Sequence, residues 1–189
     1  MRYKHDMTET ILISLLVAKI KGYKLKLLFK QWDIYPVLAF SVMYLAIEMT
    51  IFRGNYSLIK YASIFKILYL CSFLTIIIKY QQFIAAFIGS GFMILGSILN
   101  NIAISANNGK MPVFPTLSYV TGYFKPDAFI KVNDIHALGN GATKIKYLTD
   151  IIDLGYCIMS IGDVLIRIFA FIIIFNTIKH INISNREVV

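Results

Sequence analysis

Between residues 83 and 106 the chain carries no charged side chain at all. A helix of that length reaches about 36 Å at 1.5 Å per residue, more than the roughly 30 Å hydrocarbon core of a bilayer. Residues 35–52, 58–78 and 154–178 are further apolar runs with one or two charged residues each, the last including Phe169-Ala170-Phe171-Ile172-Ile173-Ile174-Phe175. Apolar runs of this length, recurring along one chain, demand lipid as their solvent. The fold class they predict is all-α, a polytopic transmembrane helical bundle forming a single membrane domain. Only Lys79-Tyr80-Gln81-Gln82 separates the runs 58–78 and 83–106, so these two pair as an antiparallel hairpin.

The first apolar segment, residues 7–20, is shorter and is bracketed by Glu9 and Lys19. It crosses only if the bilayer thins locally or its flanking charges snorkel. Five spans result if it crosses, and four if it lies in the interface. The start Met1-Arg2-Tyr3-Lys4 resembles a signal peptide, but no small-x-small cleavage site follows, so the segment is expected to be retained.

Composition agrees with the lipid environment. The mean hydropathy of +0.68 and an apolar fraction of 58% over 189 residues exceed those of ordinary soluble domains. A formal charge of +9 invites nucleic acid as a partner, yet the basic residues sit between and beside the apolar runs, which assigns them to membrane orientation instead. Lys19, Lys21, Lys24, Lys26 and Lys30 mark one loop as cytoplasmic. That placement puts the Arg53 turn outside, the Lys79 turn inside, the tail with Lys179 and Arg186 inside, and the long loop 107–153 outside. The outer loop holds Gly109, Pro112, Pro115, Gly122, Pro126, Gly139 and Gly141, which oppose a long helix. It also holds Phe114, Tyr119, Tyr123, Phe124 and Phe129, a load that points to a structured cap rather than a linker. Two cysteines, Cys71 and Cys157, form no disulfide framework and read as core residues.

Ionisable groups in membrane helices are costly unless paired or hydrated, so each marks a candidate site. Glu48, Lys66, Asp163 and Arg167 lie inside the runs 35–52, 58–78 and 154–178. Asp163 and Arg167 are spaced to share a helix face, and Glu48 and Lys66 fall at similar depth on successive helices. Asn100 and Asn101 add amides in the outer half of the fourth run. These residues are expected to converge, either as interhelical packing contacts or as an outward-open polar pocket around Asp163. Asp134-Ile135-His136 reads as a loop contact. His5, His136 and His180 are dispersed, so no metal site is expected, and no nucleotide or cofactor fingerprint is present.

The stretch from Leu99-Asn100-Asn101 through Asn107-Asn108-Gly109-Lys110-Met111-Pro112-Val113 resembles the signature of a bacterial family of uncharacterised membrane proteins, domain of unknown function 5317. Ser160-Ile161-Gly162-Asp163-Val164-Leu165 strengthens the resemblance, as does the order His136, Leu148, Asp150 between the two motifs. It implies a multi-pass protein of a bacterial cell membrane and supplies no activity. Asn107-Asn108-Gly109 suits a helix exit, which Pro112 prevents from continuing. A fainter similarity, to lipoprotein signal peptidases, rests on Asp163-Val164-Leu165-Ile166. Aligning Asn100 with that family's first motif places Ala103 where its other aspartate belongs, leaving Asp150 or Asp153 as the substitutes if the loop folds inward. Three functions follow in order: a protein that binds a protein or small-ligand partner through its outer pocket and loop, an intramembrane hydrolase using Asp163, and a small transporter.

Overall fold

The computed structural model describes residues 7–55, 57–125 and 135–187. The expectations for Met1-Arg2-Tyr3-Lys4, His5, Pro126, Phe129 and Asp134 lie outside these residues. Six helices occur in the described chain: α1 (Thr8–Ile20), α2 (Tyr35–Phe52), α3 (Ala62–Lys79), α4 (Phe83–Ala106), the single-turn α5 (Leu117–Val120) and α6 (Ile161–Glu187). Four short strands accompany them: β1 (Met111–Val113), β2 (His136–Leu138), β3 (Ile152–Asp153) and β4 (Ile158–Met159). The fold is mostly helical rather than purely so.

Among the described residues, three helices are long and apolar enough to cross a membrane, over Trp32–Phe52, Phe83–Ala106 and Ile161–Asn185. Their surfaces are apolar as well: Ile84 is 78% exposed and Phe87 82%. Patches of this kind mark contact with lipid or a partner rather than water. Cys157 is buried, but Cys71 is exposed, contrary to its expected place in the core. Its position on α3 faces away from Tyr69 and Phe73, which fill the interior.

Two helix boundaries differ from the apolar runs. The run beginning near residue 154 becomes helical only at Ile161, because β3 pairs antiparallel with β4 through a turn at Gly155, whose φ is +85°. The loop therefore extends beyond residue 153. At its other end α6 continues past Lys179 and His180 to Glu187, since no glycine or proline interrupts it after Gly162. Similarly, residues 57–61 form a 3₁₀ turn ahead of α3.

The described chain forms two compact units. In one, comprising 6–46, 63–92 and 167–189, the helices alternate in direction. Asp33, in the turn just before α2, meets Lys79 at the end of α3, and Ser41 on α2 meets Tyr69 earlier on α3, so α2 and α3 are antiparallel. The Gln82 side-chain amide hydrogen-bonds the Thr177 hydroxyl, and Gly89 lies against Phe169, making α4 and α6 antiparallel too. By contrast, α1 runs parallel to α6. Arg167 Nη1 donates to Glu9 Oε2 at 3.0 Å, Tyr23 packs edge-on to Phe175, and Lys24 N donates to Asn182 Oδ1 at 2.7 Å. Over these pairs α6 advances from residue 167 to residue 182, about 22 Å, so α1 and the turn after it follow α6 for most of a membrane thickness. Tyr44, Tyr69, Phe73, Ile76, Ile173, Ile174 and Ile178 fill the interior, each at most 2% exposed.

The other unit comprises 47–62 and 93–166. Here β1 pairs in parallel with β2, placing Met111 beside His136, while Val113 bridges Asp150. The strands are too short to be stable alone. Side-chain hydrogen bonds to the loop backbone supply the missing order.

Candidate functional site

The two motifs separated by some sixty residues meet in this second unit. Ser160 caps the start of α6: its Oγ accepts from Asp163 N at 3.0 Å, and Asp163 Oδ2 accepts from Ser160 N at 3.0 Å. This reciprocal pair is a capping box, with aspartate in the position usually taken by glutamate. Asn100 on α4 closes it into a ring, donating from Nδ2 to Asp163 Oδ1 at 2.9 Å and accepting from Ser160 Oγ at 2.7 Å. Asp163 is only 2% exposed, and Ser160 is fully buried. A carboxylate is stabilised here by the helix N-terminus as well as by its donors.

Glycines allow the ring to close. A Cβ on Gly96 would run into the Gly162 carbonyl, and a Cβ on Gly162 would collide with Asn100 Oδ1 and, at 2.5 Å, with the Gly96 carbonyl. The helix backbones therefore touch at Gly96 and Gly162, which brings Asn100 within reach of the cap. Ser160 and Gly96 escaped the search for polar residues within the apolar runs. The signal for Ser160 was available, since Ser-x-x-Asp directly before an apolar run is a helix-start pattern.

At the end of α4, Asn107-Asn108-Gly109 forms the corner expected of it. Asn108 has φ +56° and Gly109 φ +76°, and Gly109 N donates back to Ile104 O at 3.0 Å. Asn107 does more than turn. Its Nδ2 donates to Ala103 O at 2.8 Å and Lys144 O at 3.0 Å, while its Oδ1 accepts from Lys144 N at 2.9 Å. The side chain thus pairs with the backbone of residue 144 as a strand would. Met111 and Pro112 are buried in β1, where Pro112 O accepts from Asp150 N at 3.0 Å.

This bracket encloses a cavity of about 300 Å³. Asn107, Asn108, Asn140 and Thr143 supply polar atoms to its wall, and Lys110 and Lys144 supply positive charge. Among the described residues, no aspartate or glutamate belongs to the lining.

Two loop acids among the described residues, Asp153 and Asp150, have structural partners. Asp153 accepts from Thr116 N at 2.6 Å, Ser118 N at 2.9 Å, Gly155 N at 2.8 Å and the Ser118 hydroxyl. Burial would raise its pKa, but these hydrogen bonds outweigh that and hold it below its ordinary value. Asp150 is fully buried, with Oδ2 3.6 Å from His136 Nε2.

Of the other expected residues, Asn101 is exposed on α4, Glu48 is half-buried on α2, and Lys66 is half-buried on α3. Glu48 falls in the unit carrying the loop and Lys66 in the helical unit. Arg167 is buried and held by Glu9, a partner that the spacing of Asp163 and Arg167 did not suggest. Among the described residues no trio of histidine, cysteine, aspartate or glutamate is placed to hold a metal ion. Residues 25–175 match the model of one family, described as a family of unknown function (DUF5317). No curated protein matches the chain, and no solved structure does.

Proposed function

The chain belongs to the DUF5317 family of unknown function, and we propose that it is a multi-pass membrane protein that binds a small anion, or the anionic end of a partner, in its loop cavity. The observation that carries this reading is the composition of the cavity wall, which among the described residues is two lysines, asparagine amides and a threonine hydroxyl beside apolar side chains. Such groups donate hydrogen bonds and attract negative charge. They are also held rigidly, because Asn107 ties the wall to residue 144.

The proposal includes five spans. The parallel course of α1 and α6 is the arrangement that five alternating helices require of the first and last, and the Glu9 to Arg167 contact starts α1 level with a buried turn of α6. The lysines after α1 then lie in the cytoplasm, the loop cavity opens outside, and the end of α6 returns to the cytoplasm. An Asp163 hydrolase gains no support from this geometry. Asp163 accepts from Asn100 and Ser160, which is the work of a helix cap.

Titration of the full chain in lipid nanodiscs with inorganic phosphate and with acetate tests the binding. Either anion is expected to raise the melting temperature saturably, and Lys110→Gln with Lys144→Gln is expected to abolish the rise. Absence of a saturable rise with both anions, or an undiminished rise in the double variant, removes the cavity from consideration.

A further inference from the structure

In the helical unit, a groove of about 530 Å³ lies between the start of α4 and the second half of α6. Its apolar wall is Ile84, Ala85, Ile88, Ile172 and Ile183, and its polar end carries Asn176, Lys179 and His180. Beyond Tyr80 and His180, which wall both spaces, a second cavity of about 350 Å³ is lined by Lys30, Gln31, Ser184 and Asn185. Among the described residues, neither lining includes an aspartate or glutamate. Asp33, which lies beside Tyr80, is fully buried and paired with Lys79. Its charge is therefore largely answered before it reaches either cavity. An apolar trough ending in a cluster of cations and amides has the polarity of one molecule, with a hydrocarbon tail and an anionic head.

We propose that these joined spaces bind an anionic phospholipid, its acyl chain along Ala85 and Ile88 and its phosphate between Lys30, Lys179 and His180. The exposure of Ile84 (78%) and Phe87 (82%) on the same stretch of α4 gives the chain an approach from the bilayer. Ser184 and Asn185 offer hydroxyl and amide groups to the oxygens and hydroxyls of the headgroup. The aromatic wall is rigid, with the Tyr80 and His180 rings edge to face at 5.5 Å between centroids.

The test is native mass spectrometry of the detergent-solubilised full chain, supplied with phosphatidylglycerol or phosphatidylcholine of the same acyl chains. Phosphatidylglycerol is expected to be retained preferentially. Lys30→Gln with Lys179→Gln is expected to cut that retention roughly 25-fold, about fivefold per lysine, while Lys30→Arg with Lys179→Arg keeps it. Ala85→Phe, which changes no charge, is expected to lower retention by filling the groove, and this variant stands independently if the lysine pair fails to fold. Equal retention of the two lipids overturns the proposal. So does an equal loss from Lys110→Gln with Lys144→Gln, which would reduce the effect to net charge. Displacement by millimolar inorganic phosphate, with Ala85→Phe behaving as the wild type, would make the site one for free phosphate and also overturn it.

Discussion

The helical unit and the loop unit are held together by opposite means. In the first, Tyr44, Tyr69 and Phe73 stack in series, with ring centroids 5.3 and 5.6 Å apart, and isoleucines of α6 fill the remaining space. In the second, three short polar side chains do most of the joining: Asn100 in the α6 cap, Asn107 against residue 144, and Asp153 across Thr116, Ser118 and Gly155. Apolar side chains of similar volume can replace one another with modest loss, whereas a ring of donors and acceptors accepts few alternatives. The loop unit should therefore respond sharply to single-atom changes that the helical unit absorbs.

The largest effect is expected at the glycine crossing. Gly162→Ala places a methyl against Asn100 and the Gly96 carbonyl and should destabilise the chain by about 3 kcal/mol, measured as a fall in melting temperature in nanodiscs. An unaltered melting temperature would show that the two backbones do not touch, and would remove the difference between the units.

Asp153 sharpens the comparison through pH. Its ordinary pKa is 3.8 and the folded value is lower. The unfolded chain therefore binds the proton first as pH falls, and the stabilisation is complete above 3.8 and lost as pH drops through the folded value. Asp153→Asn should cost about 1–2 kcal/mol at neutral pH by weakening the bonds to Thr116 and Ser118, and should flatten this part of the acid unfolding profile. A profile identical to the wild type would separate Asp153 from the loop's stability.

In the helical unit the effects should be smaller. Glu9→Gln keeps a hydrogen-bond acceptor near Arg167 but removes the charge, for an expected loss of about 1 kcal/mol. Cross-linking efficiency between cysteines at positions 12 and 171 would report whether α1 still follows α6. Tyr69→Phe removes a hydroxyl that lies 2.7 Å from Ser41 Oγ while leaving the ring stack in place, with an expected loss of about 0.6 kcal/mol. A loss larger than that of Gly162→Ala would reverse the comparison.

What was legible in sequence follows the same division. Helices α2 and α4 begin and end where their apolar runs do, because a run of that length has no other stable form in lipid. The Asn107-Asn108-Gly109 corner was legible from backbone preference alone. The ends of α6 were not: β3 and β4 capture its apolar approach, and the helix outlasts its apolar stretch. The polar pairings were the least accessible. Asp163 accepts from Asn100 and Ser160, and Arg167 donates to Glu9. Those partners are distant in sequence or, for Ser160, supplied by a helix cap, and side-chain periodicity carries no record of either. The loop cavity was foreshadowed only as a structured cap, since its wall depends on Asn107 reaching residue 144.

The central claim is that Asp163 is architecture and that binding belongs to the loop cavity. Thermal unfolding of the full chain in nanodiscs, with and without saturating phosphate, tests it across three chains: wild type, Asp163→Asn, and Lys110→Gln with Lys144→Gln. Asp163→Asn should lower the melting temperature, by an amount corresponding to about 2 kcal/mol, and keep the phosphate-dependent rise, whereas the lysine variant should keep the melting temperature and lose the rise. An Asp163→Asn chain that melts like the wild type but no longer responds to phosphate would contradict both halves of the claim.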